Sequence, residues 1–368
     1  MGAFPNTQPL FLSLAQQLRE RIESGEWAVG ERLPTEGTLA SSYAVGINTV
    51  RRAMSRLVDE GIVVRRQGSG TYVSTRGSSR RRPTIGVIVP SRSYYFPAVL
   101  DGISEVADAA GATLRIASSE YDDALEIRRI REHLASGCAG LLITPTLHLA
   151  DPTSRLDLLR SLPIPVVLME RMPTDGAPDD RLSAVGTDVV AGGYAAVRHL
   201  ATQGRRRIGF LGRCDTASAD AAWRGFQRAI EDLALPDVSE AVVRRRTWDR
   251  TALAEYASRA RTAHLDGIVC LGDREAAALL PRLREVGIST PEEIALVAYD
   301  DEEAAEAPVP LTAVSPPKRE IGRLAASTLL RHLTSDGDRS AVRILLQPVV
   351  RMRASSATRE ARVLQPLA

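Results

Sequence analysis

Apolar residues recur every fourth position between Leu12 and Ser24. Leu14, Leu18 and Ile22 form one helical face, and Gly25 ends the helix. Pro34 and Thr35 open a second, short helix with Thr35 as its N-cap, and Val50, Met54 and Leu57 predict a third that Gly61 terminates. The period then changes. Residues 62–66 and 71–73 read as two short strands around a glycine-containing tip, Gln67 to Gly70. Three helices followed by a hairpin predict a winged helix-turn-helix.

From Thr84 onward short apolar runs alternate with helical stretches. Ile85–Val89, Leu114–Ala117, Leu141–Thr144 and Val166–Met169 have the pattern of buried parallel strands, with helices such as Ala98–Ala110 and Leu125–Ala135 between them. A second series follows with Ile208–Gly212, Ile268–Leu271 and Ile294–Ala298. Two consecutive strand–helix series predict an α/β body of two doubly wound parallel sheets with a cleft between them, ligands binding at the carboxyl ends of the strands. The expected boundaries are 1–74 for the winged helix, 75–83 for a linker and 84–368 for the body. Its lobes are expected at roughly 84–186 and 187–314, with the C-terminal segment crossing between them.

Composition narrows the chemistry. The 368 residues are 44% hydrophobic and 25% charged, as in a globular protein. No apolar run approaches the ~18 residues of a membrane span. The first residues lack the basic and apolar regions of a secretory signal, so the expected location is the cytoplasm, with no membrane partner. Cys138, Cys214 and Cys270 have neither metal nor disulfide spacing and read as buried free thiols. Residues 1–83 carry twelve arginines against seven acids, whereas the remainder carries 35 basic against 38 acidic residues. A basic head on a mildly acidic body points to a polyanionic partner for the head. The stretch 74–83, small, polar and arginine-rich, reads as the linker.

Several enzyme classes fall away. Lys318 is the sole lysine and lacks a surrounding motif, which disfavours a pyridoxal-phosphate, aminotransferase-like body. Asp300 and Asp301, as neighbours in an extended segment, would point opposite ways and make a poor acid/base pair. No P-loop, zincin helix or nucleophile elbow occurs, and no cofactor or metal is expected. A transport-type binding protein would not carry the basic head.

Residues 10–74 resemble the GntR-type winged helix. The resemblance rests on 18–22 (LRERI), 25–27 (GEW), 30–36 (GERLPTE), 49–53 (TVRRA), 57–61 (LVDEG) and 67–73 (QGSGTYV). Residues 84–353 resemble the effector domain of LacI-type regulators through 84–90 (TIGVIVP), 164–171 (IPVVLMER), 185–188 (VGTD), 207–212 (RIGFLG), 297–301 (VAYDD) and 310–314 (PLTAV). The combination is similar to arabinose-repressor-type regulators. It implies a DNA-binding transcriptional regulator, a repressor by analogy. Such a regulator is a homodimer on a two-fold operator and answers to a sugar-like effector in the interlobe cleft.

The same resemblance implies site residues. DNA contacts fall on Thr35, Ile47, Asn48, Thr49, Arg51, Arg52, Arg66, Gln67 and Gly68, with Arg65 a weaker candidate, because the third helix enters the major groove and the wing meets the backbone. Gly46 and Ile47 replace the usual hydroxyl–arginine pair. Bidentate guanine readout is lost at Ile47, and either an apolar contact to a thymine methyl or weaker base discrimination is expected instead. Effector contacts fall on Phe96, Glu170, Arg171, Asp188, Asp220, Asp273 and Asp300. Asp220 stands where relatives commonly have arginine, so an acid-rich cleft is expected, one that disfavours anions and suits a neutral sugar or polyol, or a cationic amine. Trp223 and Trp248 read as core.

Overall fold

A computed structural model describes residues 10–66, 68–74, 82–147, 153–172, 181–214, 216–334 and 340–357. Its contacts divide the chain into two units, 1–83 and 84–368. Residues 75–81, most of the expected linker, lie outside the described residues.

The head contains α1 (Leu10–Glu23), α2 (Glu36–Ser42), α3 (Ile47–Asp59), β1 (Val63–Arg66) and β2 (Gly70–Val73). Leu14, Leu18, Leu39, Val50, Met54, Leu57, Ile62 and Val73 make its core, so the predicted apolar stripes are the ones buried. β1 and β2 pair antiparallel from Val63↔Val73 to Arg66↔Gly70. The segment before α2 adds a third strand-like edge, which the sequence pattern does not show. Gly30 N and Leu33 N donate to Val73 O and Thr71 O, and Val73 N donates to Glu31 O.

The body runs β3 (Thr84–Val89), α4 (Phe96–Ala109), β4 (Thr113–Ser118), α5 (Asp123–Ala135), β5 (Gly140–Ile143), α6 (Thr153–Arg160), β6 (Val166–Met169) and β7 (Ser183–Thr187). It continues with α7 (Val189–Thr202), β8 (Ile208–Arg213), α8 (Ala217–Asp232), β9 (Val242–Arg245), α9 (Arg250–Thr262), β10 (Gly267–Cys270), α10 (Asp273–Glu285) and β11 (Ala295–Tyr299). β12 (Thr312–Ser315), α11 (Lys318–Thr334), β13 (Arg343–Leu346) and β14 (Val349–Arg351) complete it.

Two six-stranded sheets result, in the orders β13-β7-β6-β5-β3-β4 and β14-β12-β11-β10-β8-β9. The first is parallel throughout; in the second only β14 runs antiparallel. The chain crosses between sheets after β7, between β12 and α11, and between β13 and β14. α11 therefore packs on the first lobe although it follows a strand of the second.

Among the described residues each lobe has a helix pair in backbone contact. A Cβ on Gly102 of α4 would sit 2.0 Å from Arg319 O, and one on Gly322 of α11 2.0 Å from Val99 O. In the second lobe a Cβ on Gly225 of α8 would sit 2.0 Å from Val190 O. Among the described residues no helix is long and apolar enough to cross a membrane. Cys138 and Cys270 are buried free thiols, whereas Cys214 is only half-buried, which corrects its expected burial.

Candidate effector cleft and DNA interface

In the head, α3 begins at Ile47 with Gly46 as an N-cap that offers no side chain. Ile47 is 44% exposed, an apolar side chain in solvent at the first turn of the helix. Asn48 is exposed beside it, and Thr49 is half-buried. Arg51 and Arg52 are exposed on the same helix. Glu36 holds Arg51 at 3.1 Å and Arg65 of the wing at 3.0 Å, linking helix and hairpin. Arg52 stacks on Phe11 at 4.3 Å and Arg66 on Tyr72 at 4.6 Å, so both guanidinium groups are aligned by aromatic faces. Thr35 caps α2, its Oγ1 accepting from Thr38 N at 3.2 Å, which commits that hydroxyl locally. Gly68 is exposed at the wing tip; Gln67 lies outside the described residues.

In the body a cavity of about 360 Å³ opens between the lobes at the carboxyl ends of the strands. The first lobe contributes Tyr94, Tyr95, Phe96, Tyr121, Thr144, Glu170, Arg171 and Thr187 to its wall. Arg213, Arg274, Glu275, Tyr299 and Asp300 are among those of the second.

Glu170 follows β6 with φ 60°, a left-handed turn that swings its carboxylate inward. It accepts from the Tyr95 hydroxyl, from Thr187 N at 3.0 Å and from Thr187 Oγ1 at 3.2 Å. Burial nevertheless pushes its pKa up, those donors only partly offsetting the loss of water. Arg171 donates to Pro145 O at 3.3 Å and lies 5.4 Å from the Tyr121 ring; burial pulls its pKa down.

Asp300, after β11, has φ 89°. Its pKa is pushed up to about 7, first by burial and then by the nearby Asp273 carboxylate, with Lys318 opposing. Asp301 also has positive φ (58°), so the pair is not extended as the sequence reading supposed; Asp301 turns away to bind Arg353 at 2.7 Å.

Two contacts tie the lobes together beside the cavity. The Tyr94 hydroxyl donates to Asp273, and the Lys318 ammonium donates to Asp300 O and to the Glu302 carboxylate. The sole lysine thus has a structural use.

Three expected effector residues stand off the wall of this cavity. Asp188 caps α7, accepting from Ala191 N at 2.9 Å, and takes Gln347 Nε2 at 3.0 Å; it borders a smaller adjoining hollow. Asp273 is fully buried behind the wall and accepts from Glu302 N and Glu303 N at 2.6 and 2.7 Å besides Tyr94. Asp220 lies in the first turn of α8, bound by Arg244 of β9. With it off the wall, acids no longer outnumber arginines there: Glu170, Asp300 and Glu275 stand beside Arg171, Arg213 and Arg274.

Residues 11–73 match the model of the bacterial regulatory proteins, gntR family, and residues 197–356 that of a periplasmic binding protein-like domain. The arabinose metabolism transcriptional repressor of Geobacillus stearothermophilus is 31% identical over 336 residues, 88% of this chain and 91% of the relative. This chain belongs to the GntR-headed, LacI-type transcriptional regulators. The repressor of the same description from Halalkalibacterium halodurans is 28% identical over 93% of this chain and 95% of its own. The crystal structure of a GntR transcription regulator from Chromobacterium violaceum superposes with a TM-score of 0.62 at 31% identity, over 74% of this chain and 99% of that one. A DNA-binding transcription regulator rather than an enzyme is the function these similarities establish, and the aminotransferase-like alternative falls.

Of the regulator's expected effector residues, the cavity brings together Phe96, Glu170, Arg171 and Asp300. Sequence reasoning missed Tyr94, Tyr95, Tyr121, Arg213 and Arg274. The run Tyr94-Tyr95-Phe96 just after the first body strand carried the signal for the aromatics; Tyr95 and Phe96 pack edge to face, with ring centroids 5.3 Å apart. Trp223 and Trp248 are half-buried and pack against the core, the first stacked on Phe226 at 5.4 Å and the second edge-on to Tyr256.

Proposed function

We propose that this protein is a cytoplasmic repressor that binds a two-fold operator as a homodimer and lets go when a neutral sugar or polyol fills the interlobe cleft. One observation carries the reading. The cavity combines buried carboxylates and guanidinium groups, which bind hydroxyls in pairs, with the aromatic faces of Tyr95, Phe96 and Tyr121, which suit the apolar side of a sugar ring. The three acids and three arginines on the wall supply both acceptors and donors for a ligand's hydroxyl groups. The curated relatives named for arabinose metabolism support a sugar as its class.

For the head, exposed Asn48, Ile47 and Arg51 at the start of α3 fit base and phosphate contact in the major groove, and Arg66 with Gly68 fit the wing's approach to the backbone. A ligand that changes lobe closure across a dimer changes the spacing of two heads, and so their fit to half-sites one helical turn apart. The test is a gel shift on the protein's own promoter, with and without L-arabinose and a panel of pentoses, hexoses and polyols. Release by at least one member is expected. Binding that no sugar or polyol alters sinks the sugar assignment, and absence of any binding to the promoter sinks the operator assignment.

A further inference from the structure

The second lobe has a pocket of its own, apart from the cleft. It measures about 560 Å³ and lies between the C-terminal half of α8, the turn that follows it and the start of β9. Trp223, Phe226 and Ile230, at positions i, i+3 and i+7 of α8, form one side, and Leu235, Val238 and Val242 supply much of the remaining apolar lining. Phe226, Leu235 and Val238 are buried. Trp223, Ile230 and Val242 are only half-buried, so apolar surface is left open to solvent there. A concave apolar wall with a few polar groups is the usual form of a small-molecule site.

Charge selects the occupant. The charged residues on the wall are two acids, Glu231 and Asp237, both exposed. Asp237 accepts from Ser239 N at 2.9 Å through one oxygen only. The last turn of α8 carries no basic residue, so the negative end of the helix dipole adds to the two carboxylates. Guanidinium groups nearby are already engaged: Arg228 lies 3.5 Å from Asp232, and Arg206 donates to Ala234 O at 3.2 Å. Trp223 and Phe226, stacked at 5.4 Å, make the apolar lining aromatic.

We propose that this pocket is a second small-molecule site, one for a hydrophobic amine: an ammonium group drawn to Glu231 and Asp237, on an aromatic body packed against Trp223 and Ile230. α8 joins it to the cleft, because Ser218, Ala219 and Ala222 of the same helix lie on the cleft wall. The assignment is independent of which effector the cleft takes.

The test uses the full chain labelled with 5-fluorotryptophan. Its three tryptophan signals are assigned with Trp27→Phe, Trp223→Phe and Trp248→Phe. The probe is phenethylamine, with 3-phenylpropionate as its anionic counterpart. Phenethylamine is expected to shift the Trp223 signal saturably, with a midpoint of about 1 mM or below, and to leave those of Trp27 and Trp248 in place. The anion is expected to bind at least about tenfold more weakly. Glu231→Gln combined with Asp237→Asn, both at exposed positions, is expected to weaken the amine about tenfold at an unchanged melting temperature. No saturable shift overturns the proposal. Equal binding of the two probes also overturns it, as the mark of a charge-blind apolar patch, and so does an undiminished amine affinity in the double variant. A Trp223 signal that moves with protein concentration in the absence of probe shows that a second copy of this chain covers the pocket, and likewise overturns it. Should the double variant fail to fold, the comparison of the two probes still decides.

Discussion

Asp300 is surrounded by like charge. Asp273, Glu170 and Glu275 raise its pKa together with burial, and only the Lys318 ammonium opposes them. A carboxyl whose pKa is higher in the folded chain than in the unfolded one binds its proton more tightly when folded. Stability therefore falls as pH rises from about 4 through the folded value near 7, then levels off. The expected outcome is a ligand-free body that melts lower at pH 8 than at pH 5.5, with Asp300→Asn flattening that slope; a variant with an undiminished slope shows that another group carries it. At this scale the sequence was partly readable. Glu170, Arg171 and Asp300 follow apolar strands directly, where ligand residues of such sheets lie. Asp220 also carried a motif position, but its partner Arg244 arrives from a strand 24 residues later, and no local pattern announces that pairing.

Elements are set by periodicity and punctuation, and their packing by a few small residues. α4 and α11 approach so closely that Gly102 and Gly322 meet the opposing backbone. A methyl at Gly322 would lie 2.0 Å from Val99 O, and backbone cannot yield as a side-chain tip can. Gly322→Ala is expected to destabilise the body by about 2 kcal/mol or more by urea unfolding; an unchanged midpoint would mean that the two helices part at little cost. The head's helices and hairpin were legible because their stripes follow 3.6- and 2-residue periods. The strand-like edge at 30–33 was not, since it is defined by backbone bonds to β2 rather than by alternation.

Across the whole body, ligand response depends on what holds the lobes together when the cleft is empty. Tyr94 to Asp273 and Lys318 to Glu302 both span the lobes, and Tyr94 lies on the cavity wall. Tyr94→Phe deletes one clasp while keeping the ring that stacks under Arg274 at 4.3 Å. The ligand-free variant is expected to populate a more open body, read as a larger radius of gyration by small-angle scattering and weaker ligand binding; identical scattering would assign closure to the hinge segments alone.

The order of strands and helices, the two-part organisation and the basic head follow from the chain's own pattern, because burial periodicity and charge are local properties of sequence. Which acids face the cleft was decided only in three dimensions. Asp188 was taken by a helix end, Asp273 by the backbone of residues 302 and 303, and Asp220 by Arg244, while Arg213 and Arg274 were brought to the wall from other elements. A charged side chain's role depends on which partner lies within a few ångströms, and that distance is set by the tertiary fold rather than by position along the chain.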